Sequence, residues 1–467
     1  MLEREKRLLD RIDSREQYRI GLLNSKNNQE QVTSVETELN TLRSEYADIK
    51  YQIRATSPHY AALTQPQPLT VKEIQQQVLD PDTLLLEYSL GDERSYLWAV
   101  TQNSLKTFEL PKREQIEKTA RDVYDSLIAR SVVKSIEGSA DRQARIAKAD
   151  AEVERAAADL GRMILAPAVA ELGTKRLVVI ADGALQYVPF AALSLSKYRP
   201  LVLEHEIVSL PSASSLAIQR QALANRKPAP KGIAVIADPV FSIGDSRVKT
   251  GTQAVAASDT RIIEHLQGGP AGQLTIRRLP FTRQEADQIL SVAPSGANFK
   301  AVDFRANRSV ATSGELSQYR YIHFATHGYL DTERAGLSAI VLSMVDEQGK
   351  PQDGFLRTHD IYNLKMPAEL VVLSACETGL GKEIKGEGLE GLTRGFMYAG
   401  ARRVVVSLWN VNDRATAALM QNFYIGILRG NKSPAAALRA AQIRMLQTRQ
   451  WQSPYFWAPF VMQGEWK

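Results

Sequence analysis

One cysteine in 467 residues is the scarcest resource of this chain. A single thiol excludes an internal disulfide and removes any pressure to leave the cytosol. Long apolar runs are missing as well. No stretch of about 18 apolar residues occurs, so no membrane-spanning helix is expected. Residues 1–20 are charged throughout and hold no apolar core, so no secretory signal is expected. Charge of one sign is also in short supply. A net charge of +6 over this length is mild. No basic stripe interleaves with aromatics, which points to a solvated basic surface and not to direct nucleic-acid binding. There is no H-E-x-x-H and no G-x-S-x-G, which removes the zinc-peptidase helix and the serine-hydrolase elbow. A cytoplasmic protein with no metal or organic cofactor is the expectation.

What is present suits two or three domains with ordinary cores. The apolar fraction of 44% and charged fraction of 24% are those of a globular protein. The chain opens with a polar segment, 1–57, in which Val32, Val35, Leu39, Leu42, Tyr46, Ile49 and Ile53 recur at alternating steps of three and four. That is a heptad seam, and it needs a partner helix. A homo-oligomer seam, a docking helix for a sensor region, and a helix that packs back along its own domain or pairs with residues 2–23 all satisfy the pattern. Residues 58–70, with Pro66 and Pro68, read as a linker.

From residue 71 onward the rhythm changes to strands alternating with helices. Leu84 to Leu90 and Ser95 to Val100 flank a Gly91–Arg94 turn, a hairpin signature. Residues 112–172 read as helical, and Arg176 to Ala181 as a buried strand. A further strand is expected near 201–210 and a helix over Ser212 to Ala224. Asn225 to Lys231, with Pro228 and Pro230, marks a boundary. The second half repeats the pattern. Gly232 to Ala237 is a strand, and 242–275 a long surface loop. Thr282 to Val292 is a helix, with Thr282 and Glu285 at capping-box spacing. Strands through Tyr321 to His323, Ala339 to Leu342, Leu370 to Leu373 and Arg402 to Leu408 follow. The remaining elements are helices near 387–400, 414–428 and 433–449 and a last strand at 459–462. This alternation predicts an α/β fold with a mostly parallel sheet covered on both faces.

Chemistry concentrates at two strand ends. The apolar run Leu370 to Leu373 delivers Cys376 to the point where its strand stops. The strand through His323 ends at Ala325-Thr326-His327-Gly328, 49 positions before Cys376. Caspases place a His about 50 residues before the Cys. A thiol needs a base to supply the thiolate, and an imidazole within reach does that. If the two strands are neighbours, both side chains emerge at one edge, where open α/β sheets hold their chemistry. Gly328 and Cys376 would then offer backbone N–H groups to an oxyanion. A lone Cys is more often a buried, inert thiol. The paired His-Gly ending is what raises this one above that. His323, four residues earlier on a strand, reads as core and not as a metal ligand. Gly386, Gly388 and Gly391 match G-x-G-x-x-G but start too far from the strand for a dinucleotide site, so they read as a flexible loop beside Cys376.

With these endings in hand the chain resembles the CHAT domain family, bacterial caspase-like cysteine peptidases related to separase and usually found behind TPR repeats. The likeness covers roughly 71–467. It rests on Val188-Pro189-Phe190, Leu279 to Ala286, His323 to Gly328, Leu373 to Gly379, Ser407 to Asp413 and Trp457 to Val461. It implies a caspase-like three-layer sandwich with a pseudo-caspase lobe at 71–228 and a catalytic lobe at 229–467, behind a long N-terminal helix. It also implies that Cys376 is the nucleophile, His327 the proton carrier and Gly328 an oxyanion donor. A basic P1 residue would be held by an acidic pocket, for which Asp413 is the first candidate and Asp353 and Asp360 are alternatives. TPR units of about 34 residues are absent from 1–70, so the chain is expected to be the carboxyl-terminal part of a longer, sensor-regulated protein, the alternative being that its heptad helix replaces the sensor. The competing reading is a scaffold that keeps the fold, recruits partners and cuts nothing.

Overall fold

Leu84, Leu85 and Leu86 are fully buried, as a strand covered on both faces requires. In the computed structural model they lie in β1 (Thr83–Ser89), paired antiparallel with β2 (Ser95–Val100). The structure describes residues 29–56, 67–131, 137–195, 199–249, 276–329, 338–374, 387–409 and 413–467, with scattered positions before residue 19. The meander continues into β3 (Leu105–Leu110), an outer strand that the sequence analysis leaves unassigned. Five of its six residues are exposed or half-exposed, so no buried alternation announces it. β4 (Arg176–Ile180) lies parallel to β1, and β5 (Ile207–Ser209) parallel to β4. The strand expected over 201–210 is shorter than its apolar pattern suggests. Leu201–Leu203 is a tight turn behind Pro200, whose ring presets a turn-compatible φ.

The second half contributes β6 (Lys231–Ala237), β7 (Phe299–Ala301), β8 (Tyr319–Ala325), β9 (His327–Tyr329) and β10 (Ala339–Val341). It continues with β11 (Phe355–Arg357), β12 (Leu370–Leu373), β13 (Arg403–Ser407) and β14 (Phe460–Gly464). An 11-stranded sheet runs β3-β2-β1-β4-β5-β14-β13-β12-β8-β6-β7, and β11-β10-β9 form a separate antiparallel sheet. The large sheet is mostly parallel. Its antiparallel pairings are β3 with β2, β2 with β1, and β14 with β13, and β14 joins the two halves by also lying parallel to β5. The parallel strands β1, β4 and β5 therefore run opposite to β6, β8, β12 and β13. Their carboxyl ends lie at the other edge of the sheet.

Helices α1 (Gln29–Thr56), α2 (Arg113–Ala129), α3 (Ser139–Ile164) and α4 (Ala213–Leu223) belong to the first half. The second carries α5 (Pro280–Val292), α6 (Thr358–Tyr362), α7 (Glu387–Tyr398), α8 (Asp413–Leu428) and α9 (Pro434–Gln447). Val153, Ala157, Leu160 and Ile164 bury one stripe of α3, the three-to-four spacing of a helix on a core. One hydrophobic cluster runs through both halves. Trp409 meets Tyr124 edge-on at 6.3 Å, and Arg220 lies 4.6 Å over the Trp466 ring. Each fully buried side chain of this size stabilises the fold by roughly 2–3 kcal/mol. The halves thus share one core. Among the described residues no helix is long and apolar enough to cross a membrane.

The packing follows the fold-back reading of the heptad seam and corrects the expected capping box. The heptad seam of α1 finds its partners within this chain. Val35, Leu39, Leu42 and Ile49 are buried with Leu8 and Ile12, and Tyr362 and Tyr398 pack against the same cluster. The Thr282–Glu285 capping box does not form. α5 starts two residues earlier at Pro280. Thr282 Oγ accepts from the Asp238 N–H at 3.1 Å and donates to Leu279, while Glu285 turns inward to His323. Pro280 at the first turn starts the helix unaided, which frees both polar side chains for tertiary bonds.

Candidate functional site

β8 and β12 are parallel neighbours, with Phe324 opposite Leu373. The Ser374 N–H donates to the Phe324 carbonyl at 2.8 Å, so the ladder extends to the last described residue before the cysteine segment. β6 flanks β8 on the other side, Ala237 opposite Ala325. Three apolar strands therefore end together, and the residues just beyond this shared ladder are Asp238, Thr326 and Ala375. Cys376, with the whole of 375–386, lies outside the described residues.

Thr326 turns the chain off the large sheet. Its hydroxyl donates to the Val341 carbonyl at 2.6 Å, which joins β8 to the small sheet, where β9 pairs with β10. His327 is the first residue after that bend and is 6% exposed. Its Nε2 stands 2.7 Å from the Arg277 carbonyl. A carbonyl only accepts, so Nε2 carries a proton, and in the neutral ring that places the lone pair on Nδ1. Phe241 meets the ring edge-on at 5.3 Å. Gly328 stands opposite Ile340 on the edge strand of the small sheet.

The three acidic candidates fare differently. Asp360 is 5% exposed. It accepts from the Arg308 guanidinium at 2.6 and 3.2 Å and from the Arg357 N–H at 3.1 Å, at the start of α6. Burial would raise its carboxyl, but Arg308, His359 and the Arg357 N–H hold it below the usual carboxylate range. Asp353 accepts from the Phe355 N–H at 3.0 Å and from Arg357 at 2.9 Å. Both carboxylates therefore have arginine partners in this chain. Asp413 opens α8, and its side chain lies outside the described set. Gly388 and Gly391 fall inside α7, so they are helix and not the loop their G-x-G-x-x-G spacing suggested.

His323 is core, as expected. It is fully buried, 2.9 Å from Glu285 of α5 and 3.3 Å from the Tyr424 hydroxyl of α8. Among the described residues no three His, Cys, Asp or Glu side chains gather in a way that could hold a metal. What sequence reasoning missed is a network beyond β6. Asp238 is fully buried in the left-handed region at φ 48°. Arg278 grips its carboxylate with two bonds of 2.7 and 2.8 Å, and Arg283 adds one of 2.8 Å. Arg247 reaches Asp238, Asp245 and Asp303, and Arg283 also bonds Asp303. The Arg247 bond holds the Asp245 carboxyl down at about 2 despite its partial burial. An aspartate directly after a buried strand was the signal available. Its three arginines are spread over positions 247 to 283 and gave none.

The family model described as CHAT domain matches residues 154–465. The chain belongs to the CHAT domain family. Among curated proteins this CHAT domain is similar to tetratricopeptide repeat protein 28 of Homo sapiens, 25% identical over 329 residues. The Mus musculus protein of the same name is 24% identical over 302 residues. Each match covers 62% of this chain and 12% of the relative, so the chain spans about one eighth of their length. Among solved structures it is similar to separase in the Saccharomyces cerevisiae separase–securin complex. That match has a TM-score of 0.52 at 11% identity, over 88% of this chain and 31% of separase. The likeness is one of fold, an α/β architecture on a largely parallel mixed sheet.

Proposed function

We propose that this CHAT domain is a cysteine endopeptidase that hydrolyses peptide bonds of protein substrates with Cys376 and His327. The observation that carries the reading is the parallel pairing of β8 with β12. His327 comes two residues after Ala325, and Cys376 two residues after Ser374. Both segments leave neighbouring strands at one edge of the sheet, where chemistry collects in this class of fold. The bond from His327 Nε2 to the Arg277 carbonyl supports a role as base, because it leaves the lone pair on Nδ1.

The chemistry follows from those groups. Nδ1 takes the proton of the Cys376 Sγ. The thiolate attacks the scissile carbonyl carbon, and the carbonyl electron pair moves onto oxygen, where the Gly328 and Cys376 N–H groups receive it. The imidazolium then gives its proton to the leaving amine as the C–N bond breaks, leaving a thioester. Water, deprotonated by the same Nδ1, hydrolyses the thioester and restores the thiol. A basic P1 residue is held by a carboxylate. Asp413 heads the candidates, since Asp353 and Asp360 already pair with arginines.

Residues 71–228 form a pseudo-caspase lobe that completes the sheet without its own catalytic pair. Regulation by an upstream sensor or protein partner would enter through α1, whose buried seam touches Tyr362 and Tyr398 at the ends of α6 and α7. α7 follows directly on the segment that holds Cys376. Cleavage rates that do not change when a candidate partner is added would end that idea.

The test of the main proposal is labelling with a basic-P1 acyloxymethyl ketone probe, read by mass spectrometry, on wild type, Cys376→Ala and His327→Ala. Label confined to Cys376 and lost without His327 is the expected result. No label at all, with acidic and apolar P1 probes failing too and the upstream region supplied, would make the chain a scaffold.

A further inference from the structure

We infer that Asp238, acting through Arg278, is the residue that positions the His327 imidazole and selects its tautomer. The inference rests on the peptidase reading for its consequence in catalysis, but its geometry stands apart from it. Three contacts form the chain of action. Arg278 Nε and Nη2 bond the two Asp238 oxygens at 2.8 and 2.7 Å. Arg277, one peptide unit earlier, presents its carbonyl to His327 Nε2 at 2.7 Å. Phe241, three residues beyond Asp238, meets the same imidazole edge-on.

Residues 276–279 lie in no helix or strand. Ile276 packs on the cluster of Phe241, Met344 and Phe355. Arg278 is the anchor on the other side of Arg277. A fork-to-fork pair fixes direction as well as distance, so it fixes where the neighbouring carbonyl points.

Asp238 is itself held from every side. Its N–H donates to Thr282 Oγ, and its carbonyl accepts from the Asp303 N–H at 3.1 Å and from Arg247 at 2.8 Å. Its left-handed backbone, at φ 48°, costs a non-glycine residue on the order of 1 kcal/mol and persists where surroundings over-determine it. Stability alone accounts poorly for the arrangement, because a fully buried carboxylate among three arginines gains little over an apolar core. Orientation is what such a network supplies. The left-handed turn sets the carboxylate at the end of β6, where it pairs with the arginine that follows the histidine's carbonyl partner.

The consequence is specific. With the clamp intact the proton stays on Nε2 and the lone pair on Nδ1. Without it the Arg277 carbonyl drifts, the Nε2–H tautomer is no longer enforced, and the base is present in only part of the molecules. A misplaced catalytic group can lower a rate by about 10²-fold.

The experiment labels histidine with ¹⁵N and reads the tautomer of His327, assigned by its loss in His327→Gln, in wild type, Asp238→Asn and Arg278→Gln. Arg278 is 38% exposed, so its replacement carries the test even where Asp238→Asn fails to fold. Wild type should show a protonated Nε2 and an unprotonated Nδ1, and the folded variants should show the two nitrogens moving towards one averaged shift. Arg278→Lys should not restore the wild-type signal, because it lacks the fork. In parallel, kcat should fall about 10-fold or more in the variants with KM little changed. A wild-type proton on Nδ1, or an unchanged His327 signal in folded Arg278→Gln, would overturn the inference. A tautomer shift in a chain that labels with no probe would leave the clamp standing and remove the peptidase reading.

Discussion

Two edges of one sheet offer the natural comparison. At one edge β4 ends in Ala181-Asp182-Gly183. At the other β8 ends in Thr326-His327-Gly328. The strands run in opposite directions, because β14 lies antiparallel to β13 and parallel to β5. Both edges receive the ends of buried parallel strands, yet they are furnished differently. Asp182 accepts from the Leu90 N–H at 2.8 Å and faces Arg113 at 3.4 Å, a bond that ties β4 to the end of β1. His205, the histidine described in the first half, sits before β5 and bonds the Lys175 carbonyl. At the second edge a buried imidazole bonds a carbonyl held beside an arginine–aspartate clamp. The same architecture supports structure at one edge and candidate chemistry at the other, and a few side chains make the difference.

Mutation should sharpen that contrast most at the histidine. His327→Ala should lower kcat/KM about 10²–10⁴-fold, whereas Asp182→Ala should leave kcat/KM unchanged and cost about 1 kcal/mol of stability. Steady-state kinetics beside urea unfolding measures both. A large kinetic loss in Asp182→Ala would break the comparison.

Beneath the second edge lies the Glu285–His323–Tyr424 group. Glu285→Ala removes the partner of the fully buried His323 Nε2 and should destabilise the protein by about 3 kcal/mol. Glu285→Gln keeps an acceptor and should cost less. A urea midpoint unmoved by both changes would show that the group does not hold α5 and α8 to β8.

Smaller again is Asp360→Ala. It removes the Arg308 pair and the Arg357 N–H acceptor, for about 2 kcal/mol because Arg308 keeps some contact with water. Thermal melting checks it. If catalysis towards basic P1 substrates falls far more than stability, Asp360 and not Asp413 serves the P1 residue.

The smallest effect is a pH dependence. Asp245 is depressed to about 2 by Arg247. A depressed carboxylate stabilises the fold above its unfolded value, about 4, and that contribution disappears as pH falls through the folded value. On the order of 1–2 kcal/mol should vanish between about pH 4 and 2. Arg247→Gln should flatten that part of the acid-unfolding curve. An unchanged slope would mean that Asp245 is not held by Arg247 in solution.

Much of the fold is legible in the residues. Leu370 to Leu373 is an unbroken apolar run because β12 is covered on both faces. The Gly91–Arg94 turn sits between two strands that pair as expected. Other features were hidden for physical reasons. β3 carries no buried stripe, so nothing in its pattern separates it from a loop. Thr282 and Glu285 have the spacing of a cap, but spacing cannot reveal that Asp238 and His323 compete for them. The seam of α1 called for a partner and admitted residues 2–23 among several, but its spacing could not choose between them or name the two tyrosines that meet it.

By itself the sequence determined the alternation of strands and helices and the histidine–cysteine endings at 327 and 376. Those properties follow from local periodicity and from which residue stands where an apolar run stops. Only the tertiary structure decided that β8 and β12 are neighbours, that the first half's strands run the other way, and that His327 bonds the Arg277 carbonyl beside the Asp238 clamp. Each of these depends on sheet order and strand polarity, which bring together residues distant in sequence. Local pattern does not encode such pairings, because the free energy that selects them comes from burial and hydrogen bonding across the whole core.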